Sequence, residues 1–491
     1  MAAAQLIWET GDYWLTRLVF QRALGIVYLI AFVCALNQFR PLLGEHGLLP
    51  VPAFVKQASF RETPSLFFLA PKDWAFTTAA WIGIALSILV IAGVADRRYS
   101  WLNALVWFVM WVLYISFVNV GQTFYAFGWE SILLEAGFFS IFFGSRLVEP
   151  PVVVIYLLRW LEFRVMFGAG LIKLRGDPCW RNLTCLDYHY ETQPMPNPLS
   201  WYFANGPEWT KKAGVAFNHF SELLIPFLYF LPQPLATIGA LVTIVFQALI
   251  FASGNLSWLN FLTMVLAIPA IDGRYLAAVL PVRAPELHAP HLGYRIAVAA
   301  LAIMVAGLSI EPIRNMLSPR QIMNTSFNPF HLVGTYGAFG GITRQRFEVV
   351  VEGTDDAVIS SSTRWKEYEF KGKPNDVTRM PPQIAPYHLR LDWLMWFAAM
   401  SNYYDYPWFV NFVAKLLEND RPVLGLLKSN PFPDHAPKFV RAELYEYHFA
   451  NPETRKRTGQ WWSRTLVGPW FPTVSLDTPG FRRILQQQGW L

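Results

Sequence analysis

Residues 223–271 read LLIPFLYFLPQPLATIGALVTIVFQALIFASGNLSWLNFLTMVLAIPAI, which is 49 positions without a charged side chain. A second uncharged run, WAFTTAAWIGIALSILVIAGVA, covers the 22 residues 74–95. One membrane-spanning helix needs about 20 predominantly apolar residues to cross a hydrocarbon core roughly 30 Å thick. The longer run therefore predicts more than one span, with breaks at the Pro-rich segment 231–234 and at 253–255. We predict a polytopic α-helical membrane protein.

Composition separates the chain into two parts. Residues are 54% hydrophobic and 15% charged overall, which is typical of a membrane protein. Residues 1–311 contain 37 charged side chains, and the 180 residues 312–491 contain the same number. We therefore expect a transmembrane domain over 1–311 and a soluble domain over 312–491. The net charge of +6 is spread mainly over the second part, too thinly for nucleic-acid binding, so the expected partner is the lipid bilayer.

Apolar runs predict about nine spans in the first domain. They lie near 21–39, 74–95, 101–118, 127–144, 151–171, 214–231, 234–253, 256–271 and 292–311. No internal repeat of fixed period is visible, so a transporter built from repeats is only a third reading after the two functions considered below.

Basic residues in the short loops predict the orientation. Arg17 and Arg22, the pair at 97–98, Arg146 and the pair Arg274 and Arg283 all fall on one side when nine spans are counted. Because Lys and Arg are retained on the cytoplasmic side, that side and the N-terminus should be cytoplasmic. The loops 40–73 and 172–213 and the C-terminal domain should face the lumen or periplasm. The first 20 residues lack the pattern of a signal peptide, so none is expected.

Ionisable residues inside the predicted spans form the candidate site, because such groups are costly at membrane depth. An intramembrane acid-base site could use a carboxylate or histidine to move a proton and a cation to hold an anionic substrate. Alternatively, Glu162 with Arg159 or Arg164, and Glu130 or Glu135 with another helix, form buried ion pairs that fix the packing. The candidates are Glu130, Glu135, Arg159, Glu162, Lys173, His219 and Glu222.

Three cysteines bear on the compartment. Cys34 lies inside the first predicted span, where it is expected to fill apolar space. Cys179 and Cys185 flank five residues in the long loop predicted to face the oxidising side, and a disulfide between them is one reading. Two unpaired thiols are the other. Their spacing, even with His189 nearby, matches no common zinc pattern, so no metal and no cofactor is predicted.

The second domain shows strand patterns followed by helix patterns. Residues 342–351 and 365–370 alternate and predict a β-hairpin, and 439–449 alternates again. Residues 389–400 and 407–418 have helical spacing of large apolar side chains. The prediction is an α+β domain with a small antiparallel sheet. Exposed tryptophans could line a groove for a partner, although core packing also explains them; these are Trp393, Trp396, Trp461 and Trp462.

Several strings resemble the lipase maturation factor family. CWRNLTCLDYHYETQP at 179–194 and PNPLSWY at 196–202 are similar to the signature loop of that family. TYGAFG at 335–340, RLDWLMWFAA at 390–399 and GQWW at 459–462 extend the resemblance over roughly 120–465. Gly334 departs from the pattern, since relatives usually have Asn at that position.

The resemblance implies a multi-pass protein of the endoplasmic reticulum membrane, or of a bacterial inner membrane, that assists maturation of secreted clients. Lipases are the best-known clients of the family, and its C-terminal domain is implicated in client contact. No catalytic residue can be transferred from it. The alternative function is a membrane enzyme, because the helical half also looks distantly similar to gamma-carboxylase. That alternative requires several of the seven ionisable candidates to converge on one cavity.

Overall fold

A computed structural model describes residues 13–490 of the protein. Residues 1–12, which include the N-terminus predicted to be cytoplasmic, lie outside the described residues. Each of the nine predicted spans overlaps a helix, and the overlap is smallest for the span near 214–231. Their bounds are α1 Trp14–Leu43, α2 Asp73–Ile91, α3 Ser100–Val120, α4 Gly128–Ser140, α5 Val152–Arg175, α6 Glu208–His219, α7 Leu235–Ser253, α8 Leu259–Ala267 and α9 Leu292–Leu308.

Five helical segments of the described chain are long and apolar enough to cross a membrane, namely α1, α2, α3, α7 and 292–317, in which a short helix continues α9. A sixth candidate is α8 with the helix Gly273–Val279, although these two segments are bent by 114°. The other predicted spans are shorter or contain charged residues. The chain from α6 continues through a π-helical turn, Phe220–Leu224, into Ile225–Leu228. The prediction of a polytopic helical bundle is confirmed, with the number of spans approximate.

The basic loops gather at one end of the bundle. Arg22 and Arg146 both contact the buried carboxylate of Asp96, at 2.8 and 3.7 Å. The Trp14 indole N–H at the start of α1 donates to the Arg146 carbonyl oxygen at 2.8 Å. Thr16 Oγ1 donates to the Ile271 carbonyl oxygen, also at 2.8 Å, which brings the chain after α8 to the same place. The loops used for the orientation argument are therefore neighbours in space.

The C-terminal region contains one antiparallel sheet of four strands in the order β2-β1-β3-β4. The strands are β1 Arg346–Thr354, β2 Lys366–Glu367, β3 Phe439–Phe449 and β4 Trp462–Val474. The helices are α10 Arg390–Ala398, α11 Pro407–Leu417, α12 Pro452–Thr458 and α13 Pro479–Gln488. The α+β prediction is confirmed. β4 was missed because Gly468 and Pro469 interrupt its alternation and produce an irregular register against β3.

Shorter α-helices lie between these elements. They are Val51–Val55, Gln122–Tyr125, Pro178–Arg181, Leu186–Thr192, Ser200–Ala204, Gly273–Val279, Ile310–Leu317 and Arg421–Leu424.

The two regions share a buried interface at the end of the bundle opposite the basic loops. The Gln38 amide, near the end of α1, donates to the His388 carbonyl oxygen at 2.6 Å. The Asn411 amide on α11 donates to the carbonyl oxygen of Leu48 at 3.0 Å. Asn255, which follows α7, accepts the backbone N–H of Ala385 at 2.9 Å. The C-terminal region is thus hydrogen-bonded to the ends of several helices, and the space between the two regions contains the candidate site.

Candidate functional site

A cavity of about 540 Å³ lies where the bundle meets the C-terminal region. Its walls come from α4, α5, α6, α7 and α8, from the loop 172–213, from residues 336–341 and from α10. Most of the lining is apolar or aromatic, which is usual for a small-molecule site. Both regions of the described chain therefore build this cavity together.

A charged cluster forms one wall of this cavity. The Lys173 ammonium, in the last turn of α5, donates to Asn218 Oδ1 at 2.9 Å and to Glu222 Oε1 at 2.6 Å. The Asn218 amide donates in turn to Glu222 Oε2 at 2.9 Å. All three side chains are buried, and the ammonium lies 5.0 Å from the centre of the Trp180 ring. The π-helical turn after α6 holds Glu222 opposite Lys173, and such turns are frequent at functional sites.

Other polar groups line the same space. The His189 imidazole lies at the cavity, where desolvation by burial, reinforced by the Lys173 charge, lowers its pKa to about 4. At physiological pH the ring is therefore neutral. Deeper in the bundle, the Asn260 amide donates to Gln247 Oε1 at 2.7 Å. Asn260 Oδ1 is buried and has no hydrogen-bond partner among residues 13–490.

Two other predicted carboxylates, Glu130 and Glu135, form ion pairs and do not line the cavity. Glu135 on α4 pairs with Arg164 on α5 and accepts the Tyr336 hydroxyl at 2.8 Å. Glu130, also on α4, pairs with Arg390 at 2.8 Å, and both side chains are fully buried. The prediction that Glu130 and Glu135 pair with other helices is therefore confirmed, and the partner of Glu130 comes from the C-terminal region.

The predicted pairing of Glu162 with Arg159 or Arg164 is wrong. Arg159 donates instead to the carbonyl oxygens of Pro269 at 2.9 Å and Tyr229 at 3.0 Å. Arg164 forms its ion pair with Glu135. The Glu162 carboxyl is buried without a hydrogen-bond partner in the described part of the chain. Arg159 and Glu162 share one helix face but do not pair, because backbone carbonyl groups at helix ends lack partners within the helix and accept from the guanidinium instead.

Of the seven acid-base candidates, Lys173 and Glu222 line the cavity, and the other five lie elsewhere. His219 bonds through Nε2 to the Trp180 carbonyl oxygen at 3.0 Å. Asn218, which joins Lys173 to Glu222, was not predicted from the sequence, and neither were the lining residues Gln247 and Asn260. Asn218 lies four residues before Glu222, a spacing that places both on one face of a helix. That spacing was the available signal.

The expected exposure of the four tryptophans is wrong for three of them. Trp393, Trp461 and Trp462 are buried. Trp393 and Trp396 line the cavity, and the Trp396 indole N–H donates to the Thr192 carbonyl oxygen at 2.9 Å. Trp461 and Trp462 pack in a separate cluster with Trp201. Core packing, the other reading, describes them better.

Cys179 and Cys185 form the predicted disulfide, with Cα atoms 4.8 Å apart. The bond closes the turn that carries Trp180, a lining residue of the cavity, over Lys173. Cys34 is a buried free thiol, as expected. No group of three or more His, Cys, Asp or Glu side chains within residues 13–490 could hold a metal ion.

These features define a multi-pass helical membrane protein in which a C-terminal α+β region and a disulfide-closed loop complete an apolar cavity. The chain belongs to the lipase maturation factor family. Residues 15–278 match the family description "Lipase maturation factor transmembrane domain", and residues 332–472 match "Lipase maturation factor C-terminal domain". The family expectation from the sequence strings is thus confirmed.

Relatives match over nearly the full chain. Lipase maturation factor 1 of Homo sapiens is 42% identical over 98% of this chain and 91% of its own length. The Mus musculus protein of that name is 40% identical over 96% of this chain and 88% of its own. Lipase maturation factor 2 of Xenopus laevis is 28% identical, covering 98% and 85% respectively. No solved structure matches.

Proposed function

We propose that this chain promotes the maturation of secreted lipases while embedded in a membrane. The supporting observation is its similarity, over 98% of its length, to a relative named Lipase maturation factor 1. The buried contacts between the bundle and the C-terminal region support an action of the whole chain rather than of one detachable domain.

The proposed location is the endoplasmic reticulum of a eukaryotic cell or the inner membrane of a bacterium, with the C-terminal region lumenal or periplasmic. The basic loops lie at the opposite end of the bundle, as the positive-inside rule requires for a cytoplasmic end. The Cys179–Cys185 disulfide lies near the C-terminal region, and disulfides persist in oxidising compartments. Both observations favour the same orientation.

Complementation tests this function. Cells that lack their own maturation factor and express a secreted lipase should release lipase of higher activity per unit of lipase protein when the full chain is supplied. A secreted reporter enzyme that is not a lipase serves as the control and should not change. Normal membrane abundance of the chain with no gain in lipase activity would contradict the proposal.

The client surface is expected on β4 rather than on the predicted tryptophans, since three of those are buried. β4 lies at the edge of the sheet, and Leu466 and Val467 on it are each 55% exposed. An edge strand has free backbone N–H and C=O groups that an extended segment can pair with. An incompletely folded lipase would offer such segments.

Site-specific crosslinking tests this surface. A photoreactive amino acid at Leu466 should capture the newly made lipase in the membrane of complemented cells. The same residue placed at Ile303, which is 74% exposed on α9, is the matched control and should capture lipid but no lipase. Equal lipase capture at both positions, or none at Leu466 in cells where maturation is restored, would reject β4 as the contact.

The enzyme alternative stays a prediction. It required ionisable residues to meet at one cavity, and Lys173 and Glu222 do so. Their direct bond to each other also gives them a structural role, so the maturation function remains the better-supported proposal.

A further inference from the structure

The exposed residues of the cavity lining lie in two different surroundings. Leu249 on α7 lines it and is 49% exposed, and its neighbour Val245 on the same helix is 54% exposed. Because α7 is long and apolar enough to span a membrane, its exposed side chains are the ones that would meet hydrocarbon. The other exposed lining residues lie outside the helices; they are Ala126, Met323, Asn324 and Gly341. The cavity therefore runs from the lipid-facing side of the bundle to the C-terminal region.

The polarity of the walls changes along the same direction. Val165, Met166 and Ala169 on α5 line the part within the bundle. Lys173, one to two turns further along, lies beside the Gly341 end, because Gly340 packs against the neighbouring Ile172. Two of the three N–H donors of the Lys173 ammonium are used by Asn218 and Glu222. Among residues 13–490 no acceptor takes the third donor, which leaves it for an acceptor oxygen at the polar end.

A cavity lined mainly by apolar side chains offers few hydrogen-bond partners, so it favours an occupant that needs few. A cavity lined by apolar side chains is a poor site for water. A peptide segment would bring backbone N–H and C=O groups that each need a partner away from water. The charged cluster has most of its capacity satisfied internally, and the Asn260 amide is bonded to Gln247, which leaves Asn260 Oδ1 without a partner among the described residues. A hydrocarbon chain makes no such demand.

We propose that the cavity binds one acyl chain of a membrane phospholipid, which enters beside Leu249 and places an acceptor oxygen of its polar end at the Lys173–Asn218–Glu222 cluster. This inference does not depend on the proposed function in lipase maturation. It assigns a ligand class to the cavity and roles to Lys173 and Asn218.

The test uses the purified full chain in nanodiscs of phosphatidylcholine that include a probe with a diazirine near the end of one acyl chain. Illumination followed by peptide mapping should place label on 163–171 or 256–263. Ala169→Phe fills the cavity and should reduce that label at least fivefold. Ile303→Phe adds the same kind of bulk on the outer face of α9 and should leave it unchanged.

The wild-type chain alone decides the result if Ala169→Phe does not fold. Label confined to outward residues such as Ile303, or equal labelling of 163–171 in wild type and a folded Ala169→Phe variant, would overturn the proposal. Loss of cavity label on adding excess long-chain fatty acid, but not excess phosphatidylcholine, would overturn the assignment to a phospholipid. Capture of a peptide instead of lipid by a photoreactive residue at Met166 would do the same.

Discussion

Arg390→Met should be the most damaging single substitution of a charged residue in the C-terminal region. Its guanidinium pairs with Glu130 at 2.8 Å, donates to the Phe124 carbonyl oxygen at 2.6 Å and lies 3.4 Å from the centre of the Tyr125 ring. Removing one partner of a buried pair leaves an uncompensated charge and costs about 3–5 kcal/mol. We expect the midpoint of thermal unfolding in detergent to fall by about 3–5 °C.

Arg314→Met is the matched control, because it removes the same kind of side chain from an exposed pair with Glu311. Exposed pairs contribute about 0–1 kcal/mol, so its unfolding midpoint should stay close to that of wild type. The double variant Arg390→Met with Glu130→Gln should regain part of the loss, since the isolated carboxylate is then neutral. Equal midpoints for the two single variants, or a double variant less stable than Arg390→Met, would contradict this account.

The position of Arg390 gives its pair a role beyond stability. Trp393, one turn further along α10, lines the cavity, and Trp129, next to Glu130 on α4, lines it from the bundle. The Trp129 and Trp393 rings are in edge contact, with centroids 5.0 Å apart. The ion pair therefore holds the two sides of the cavity wall together.

The membrane bundle could be predicted from the sequence because its signal is local. An uncharged run such as 74–95 is longer than a core helix of a soluble protein needs, so hydropathy alone identifies it as a membrane span. The charge-rich helices α4 and α5 were also found. Their partners were not, because Glu130 pairs with Arg390, which lies far away along the chain, and no periodicity carries information about such a contact.

Only part of the candidate site could be predicted from the sequence, because only its charged residues give a local signal. Lys173 and Glu222 were selected as costly ionisable groups, but Asn218 carries no charge and gave no such signal. The prediction of exposed tryptophans failed for a different reason. A large aromatic residue in a sequence is compatible with a surface groove or with a core, and its burial depends on which residues pack against it. Trp462 packs on Phe449 from the neighbouring strand β3. This contact could not be predicted because strand β4, which begins at Trp462, was not recognised from its pattern, which Gly468 and Pro469 interrupt.

Gly137→Ala should be the most damaging loss of a glycine in the bundle. A Cβ atom at this position on α4 would lie 1.9 Å from the hydroxyl oxygen of Tyr28 on α1. Tyr28 is fully buried, donates to the Leu133 carbonyl oxygen at 3.1 Å and packs edge-on against Trp107 and Tyr114. The ring cannot withdraw without displacing them, and overpacking of this kind costs about 1–3 kcal/mol.

Gly307→Ala on α9 is the control, because its Cβ would meet no atom within 4 Å. Alanine is favoured over glycine inside a helix by up to about 1 kcal/mol, so this variant should unfold at the wild-type temperature or slightly above it. Adding Tyr28→Phe to Gly137→Ala removes the clashing oxygen and should recover part of the lost thermal stability, whereas the ring carbon 2.6 Å away prevents full recovery. If the two glycine variants unfold at the same midpoint, α1 and α4 do not pack as closely as described. The close approach of α1 and α4 also matters for the cavity, because α4 contributes Trp129 and Ile132 to the cavity wall. A displaced α4 in Gly137→Ala should therefore also reduce acyl-chain labelling of residues 163–171.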